Sequence, residues 1–228
     1  MDYTSIFNSD FFTMTLLNLL SPIELYHLRS LTKYINTHIT LNHVNDKIIS
    51  NIIKRLKYKL KDKYTDFINI AVKRKMCLYG LFITECIWEE YHCPYIDIKM
   101  LENDMHGVNN VFTDLKKVKP NTDTFLYYQF NGSFLYESDL STILDNIRLY
   151  IISDTQYHNK NFPTIFNNTL VINNGLNGWQ LTIGDIKRVM CKIDSINDDY
   201  YNYSWFHHEQ SERQKILCDR YNITLINN

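Results

Sequence analysis

The sequence predicts an α+β fold in three parts: an N-terminal three-helix module over residues 1–43, an amphipathic linker helix over 44–69, and a mixed α/β domain over 70–228. Three observations carry that expectation. Phe11 to Ile39 places large apolar side chains at steps of three and four around a Ser-Pro break. Asn45 to Tyr64 sets an isoleucine–leucine stripe against lysines at helical spacing. From Met76 onward, short aromatic and β-branched runs interleave with helical patterns, the order expected of strands and helices that share a sheet.

The first helix is the apolar run around Leu16, Leu17 and Leu20. Ser21 can cap the second, Pro22 suits its first position, and Glu24 can complete a capping box. The third carries the stripe Leu28, Leu31, Ile35, Ile39. A unit of about forty residues buries too little apolar surface to stand alone, so it must dock on something. In the linker helix, Ile48, Ile49, Ile52, Ile53, Leu56 and Leu60 share one side, and Lys47, Lys54, Lys57 and Lys61 the other. The lysine side reads as a solvated face; its sharper reading is a contact to phosphate or anionic lipid.

Lys75 to Tyr79 reads as a buried strand ending at Gly80, Phe82 to Tyr91 as a helix closed by Pro94, and Tyr95 to Ile98 as a strand. Thr124–Phe130, Thr164–Ile172 and Trp179–Ile183 are further strands by their aromatic and β-branched content. Leu140–Ile151 and His208–Cys218 read as helices and Tyr221–Leu225 as a last strand. Asn131-Gly132-Ser133 reads as a turn, and the acidic-aromatic stretch Asp198 to Phe206 as a loop whose rings cap the core.

Composition excludes several classes. The formal net charge of −1 argues against a nucleic-acid partner, as does the lack of an aromatic ladder beside the lysines. No stretch is long and apolar enough to span a bilayer, and no basic-apolar leader opens the chain, so the expected location is intracellular, in host cytoplasm. Five cysteines at irregular spacing fit a reducing compartment better than a disulfide framework. Cys86, His92 and Cys93 lack the paired spacing of a structural zinc site; no metal, cofactor or catalytic residue is expected. A single alanine, Ala71, beside abundant Asn, Ile, Tyr, Lys and Phe reads as an AT-rich genome such as that of a giant DNA virus or certain protists.

Leu16, Leu17 and Leu20, then Ser21-Pro22-Ile23-Glu24-Leu25, then Leu28-Arg29-Ser30-Leu31-Thr32-Lys33 resemble an F-box, the module that plugs into the Skp-type adaptor of cullin ubiquitin ligases. Phe11-Phe12 stands near where the family opens with Leu-Pro. The resemblance covers roughly the first forty residues. It implies that Leu16, Leu20, Pro22, Leu25, Leu28 and Leu31 form the adaptor contact or the module's small core.

The unit strand, Gly80, helix, Ile96-Asp97-Ile98 resembles the core of the nucleotidyltransferase fold. In that family a strand ends in Gly-Ser or Gly-Gly, and a second strand carries Asp-x-Asp. The backbone turn holds a triphosphate, and the paired carboxylates hold the divalent metals. Gly80 matches the turn glycine and Asp97 the second carboxylate, but Leu81 stands where Ser or Gly belongs and Tyr95 where the first carboxylate belongs. One carboxylate leaves a hard cation short of anionic oxygen ligands. The expectation is therefore a vestigial nucleotide site at Gly80 and Asp97, equally readable as a turn glycine and an ordinary surface acid.

Taken together, the leading expectation is a non-enzymatic substrate adaptor, with a Skp-type partner and an unknown recruited target. The rival is a divergent nucleotidyltransferase that pairs Asp97 with a borrowed acid such as Glu85 or Asp114. A third reading is a structural protein whose N-terminal helices merely complete its own core.

Overall fold

The computed structural model describes residues 10–73, 75–94, 96–101, 115–117, 134–138, 147–152, 165–166, 168–172, 178–196 and 216–227. The described chain mixes helix and sheet. Helices α1 (Asp10–Leu19), α2 (Pro22–Leu31) and α3 (Lys33–His38) come first. The start of α2 is built as its sequence dictates. Ser21 Oγ accepts from the Glu24 N–H at 3.2 Å, and Glu24 Oε2 accepts from the Ser21 N–H at 2.8 Å. The Ser21 N–H and the Ser21 hydroxyl, both donating to Glu24 Oε2 at 2.8 Å, also hold the Glu24 carboxyl below the ordinary carboxylate range.

Helix α4 (Leu41–Leu60) starts earlier than the expected linker helix and also ends earlier, at Leu60. A single 3-10 turn at Lys61–Lys63 separates it from α5 (Tyr64–Lys73), a helix the sequence reading did not separate from the linker. Far from merely connecting, α4 forms one wall of the core: Val44, Ile48, Ile52 and Leu56 are fully buried. Burying each such side chain contributes about 1.5–3 kcal/mol. Lys47 Nζ donates to the Leu17 and Asn18 carbonyls at 3.1 and 3.0 Å, capping the C-terminal end of α1 with a cation.

Strand β1 (Cys77–Tyr79) leads through Gly80 into α6 (Leu81–Trp88) and then β2 (Ile96–Leu101). The sheet continues with β3 (Leu115–Lys117), β4 (Phe134–Ser138), β5 (Ile147–Ile152), β6 (Asn168–Val171) and β7 (Gln180–Ile183). Its strand order is β3-β4-β5-β2-β1-β6-β7. β1 pairs antiparallel with both β2 and β6, and β2 pairs parallel with β5. A short helix, α7 (Ile186–Cys191), follows, capped by Asp185. Then β8 (Ile193–Ile196) pairs in parallel with β9 (Thr224–Asn227) as a separate two-stranded sheet, and residues 216–221 are helical.

Two expectations are corrected. The helix expected over Leu140–Ile151 is a strand where it is described, because Ile147 to Ile152 pair in parallel with all six residues of β2 and in antiparallel fashion with β4. The final strand begins at Thr224, and Tyr221 closes the preceding helix. The strand expected at Thr124–Phe130, the Asn131–Ser133 turn and the Asp198–Phe206 loop lie outside the described residues. The buried side chains form one cluster from Leu25 through Ile52, Leu78 and Ile87 to Tyr221 and Ile223, so the first helices and the sheet share a core.

Candidate functional site

Helix α6 is where the chain concentrates buried polar chemistry. Every residue from Leu81 to Trp88 is buried, including Glu85 at 0% exposure. A carboxylate placed there must be fully hydrogen-bonded or its desolvation cost stands uncompensated. Glu85 Oε1 accepts from the His92 N–H at 2.8 Å, the Cys93 N–H at 2.6 Å and the Tyr221 hydroxyl at 2.6 Å. Its Oε2 accepts from Arg55 Nη2 in a buried ion pair. Four donors thus converge on this one carboxylate, three on Oε1 and one on Oε2.

Arg55 reaches Glu85 from the apolar side of α4. Its Nη1 donates to the Phe82 carbonyl at 3.0 Å and its Nη2 also to the Cys93 carbonyl at 2.8 Å. The guanidinium lies 4.4 Å from the Phe82 ring centroid and 4.9 Å from that of Tyr91. Asn51, one turn earlier, donates to the Cys86 carbonyl at 3.2 Å and to Glu89 Oε1 at 2.9 Å. The Tyr221 hydroxyl is held protonated well above the ordinary tyrosine range by burial and by its bond to Glu85. Burial likewise pushes the Cys86 thiol up to about 12, so near neutral pH it carries no thiolate for nucleophilic attack. At the other end of α6, Trp88 Nε1 donates to the Val189 carbonyl at 2.8 Å, docking α7.

The start of α6 decides the fate of Gly80 and Asp97. Gly80 has φ +64°, a conformation that suits glycine. An added Cβ would meet only the Phe166 carbonyl at 3.9 Å, so the backbone angle, not crowding, calls for glycine here. A glycine N-cap has no side chain to satisfy the first N–H groups of the helix. Asp97 supplies that acceptor from β2: its Oδ2 accepts from the Phe82 N–H at 3.3 Å. Asp97 is 0% exposed, which corrects the reading of it as a surface acid. Its carboxylate takes the place at the helix N-terminus that an anionic phosphate would need. The sheet register pairs Asp97 with position 148 of β5.

Of the acids that were to be borrowed, Glu85 is committed to the four donors described, and Asp114, like Tyr95, lies outside the described residues. Among the described residues no group of three or more His, Cys, Asp or Glu could hold a metal ion. None of the described helices is long and apolar enough to cross a membrane.

The N-terminal residues singled out in the sequence divide into two sets. Leu25 is fully buried and Pro22 is buried, both facing the chain's own core. Leu20 and Leu28 are half-buried against that core. Leu31 is 70% exposed, and it is joined by Leu19 at 75% and Met14 at 59%. The side chain of Leu16 lies outside the described residues. Leu19 and Met14 are residues that the sequence reading left out, although both stand in its first apolar helix.

Comparison with family models, curated proteins and solved structures finds no match for this chain.

Proposed function

We propose that this chain is a non-catalytic substrate adaptor of the F-box type. In this reading α1–α3 dock on a Skp-type adaptor, and the rest of the chain recruits a target for ubiquitylation by a cullin ligase in the host cytoplasm. The observation that carries it is the exposure of Met14 and Leu19 on α1 and of Leu31 on α2, the latter helix anchored through Pro22 and Leu25. Each such side chain covered by a partner would contribute about 1.5–3 kcal/mol, and anchored short helices present them with little ordering cost. Leu19 and Leu31 would make the contact, Leu20 and Leu28 would support it, and Pro22 and Leu25 would hold the module in place.

The remainder of the chain is proposed to keep a nucleotidyltransferase-like scaffold without its chemistry. Two commitments support this: Asp97 is bound to the Phe82 N–H, and Glu85 is bound to four donors. Bond-making would belong to the ligase.

The test is capture of the full-length chain on immobilised host Skp-type adaptor, beside a Leu19→Asp, Leu31→Asp double variant. Both positions are exposed, so thermal unfolding should be unchanged while capture falls about tenfold or more. A Leu25 substitution would be the wrong probe, since it would unfold the module. No capture of the unmodified chain, or equal capture of both, would sink the proposal.

A further inference from the structure

The lysine face of α4 was read from the sequence as a solvated surface, and the structure adds two facts to it. The first is Tyr58, 82% exposed in the midst of Lys54, Lys57 and Lys61, all three exposed as well. The second is the lack of internal counter-charges: among the described residues Lys54, Lys57 and Lys61 form no ion pair, and Lys57 Nζ only lies over the Tyr64 ring at 5.5 Å. From Lys54 to Lys63 the chain has five lysines and a single carboxylate, Asp62. Arg55, in the same run, faces inward to Glu85 and adds nothing to the outer charge.

We propose that this face binds an acidic, aromatic-bearing segment of another protein; that this segment is the recruited target rests on the adaptor reading above. The spacing suits an extended peptide. Side chains three and four residues apart on a helix stand about 5–6 Å apart. Alternate side chains of an extended chain repeat about every 6.6 Å. Carboxylates on one side of such a chain therefore meet Lys54 and Lys57 in turn, with Tyr58 beside them as the packing anchor and Lys61, in the turn that follows the helix, adding charge at its end.

Other anions fit less well. A bilayer would be joined by an apolar helix face, and the apolar face of α4 is sealed by Ile48, Ile52 and Leu56 at 0% exposure. A nucleic-acid strand calls for successive stacking rings, where this face has one exposed ring. The formal net charge of −1 also gives no long-range attraction to a polyanion. A short acidic segment feels chiefly the local lysines, within a screening length of about 8 Å.

The full-length chain would be titrated at low ionic strength with labelled poly-glutamate, with a glutamate–tyrosine copolymer, with an oligothymidylate of matched charge and with phosphatidylserine vesicles. The expected order is copolymer tighter than poly-glutamate, and both tighter than oligothymidylate or vesicles. The triple variant Lys54→Glu, Lys57→Glu, Lys61→Glu should weaken both polypeptides about tenfold or more. Tyr58→Ala should remove the preference for the copolymer. Absence of polypeptide binding, indifference to the triple variant, or tighter binding of oligothymidylate or vesicles would overturn the proposal. None of these outcomes touches the adaptor capture, which depends on Leu19 and Leu31.

Discussion

Helix α6 and the pair α1–α2 all carry several large apolar side chains, LFITECIW against DFFTMTLLNL and PIELYHLRSL, yet they are treated in opposite ways. Every side chain of α6 is buried, and its one acid is bound by four donors drawn from distant parts of the chain. In α1–α2, buried Leu25 shares its short element with Leu31 at 70% exposure, and Leu19 stands at 75%. The difference teaches how to weigh the two resemblances. The residues of the β1–Gly80–α6–β2 unit are consumed in holding the chain together. The pair α1–α2 leaves apolar surface uncovered, and that surface is what a docking reading needs.

The comparison can be broken most sharply at Glu85. Glu85→Gln leaves the Arg55 guanidinium buried without its counter-ion and should cost about 3–5 kcal/mol in urea denaturation. An Arg55→Met, Glu85→Gln pair, which keeps an amide oxygen for the His92 and Cys93 N–H groups, should cost less; equal losses would mean that the unpaired guanidinium is not the source of the cost. Next comes the contrast within α2. Leu25→Ala should cost about 2–5 kcal/mol, whereas Leu31→Ala should stay within about 0.5 kcal/mol. At the start of α6, Asp97→Asn should cost about 1–3 kcal/mol through the lost charged acceptor. Nucleoside triphosphate with magnesium should raise the Tm of neither the variant nor the parent chain. A rise in the parent that the variant abolishes would restore the enzymatic reading.

A pH series sharpens the same contrast. Because burial raises the Cys86 thiol from 9.0 to about 12 in the folded state, its stabilising effect is fully present below pH 9.0 and is lost as pH rises toward 12. Lys59, lowered by burial, works in the opposite direction. The stability difference between Cys86→Ala and the parent chain therefore isolates the thiol: it should narrow across that alkaline window and stay flat at neutral pH. A modest effect belongs to the cap of α2, where Ser21→Ala should cost about 1 kcal/mol by urea denaturation.

Local signals were legible, and distant pairings were not. The Ser21-Pro22-Glu24 cap, the strand–Gly80–helix–strand unit and strands β6 and β7 follow from side chains close in sequence. Strand β5 was misread because Leu140, Leu144, Ile147 and Ile151 fit a helical step, while its partner β2 lies far back in the chain. The donors to Glu85 come from residues 55, 92, 93 and 221, which no spacing rule joins. Two clues were nevertheless present. Arg55 falls seven residues after Ile48, on the apolar side of its helix, and Glu85 sits alone inside FITECIW. A charge on each of two buried faces is a reason to look for a mutual partner.

The Tyr221 bond to Glu85 also sets a schedule for synthesis. Arg55, Glu85 and the amides of His92 and Cys93 leave the ribosome long before Tyr221 does. Until that ring arrives, the interior of the nascent chain has a charged centre with one donor missing, so final consolidation waits on translation of the tail. A ribosome stalled shortly before residue 221 should therefore display a chain that proteases cut readily, even though nearly all of its helices have already emerged.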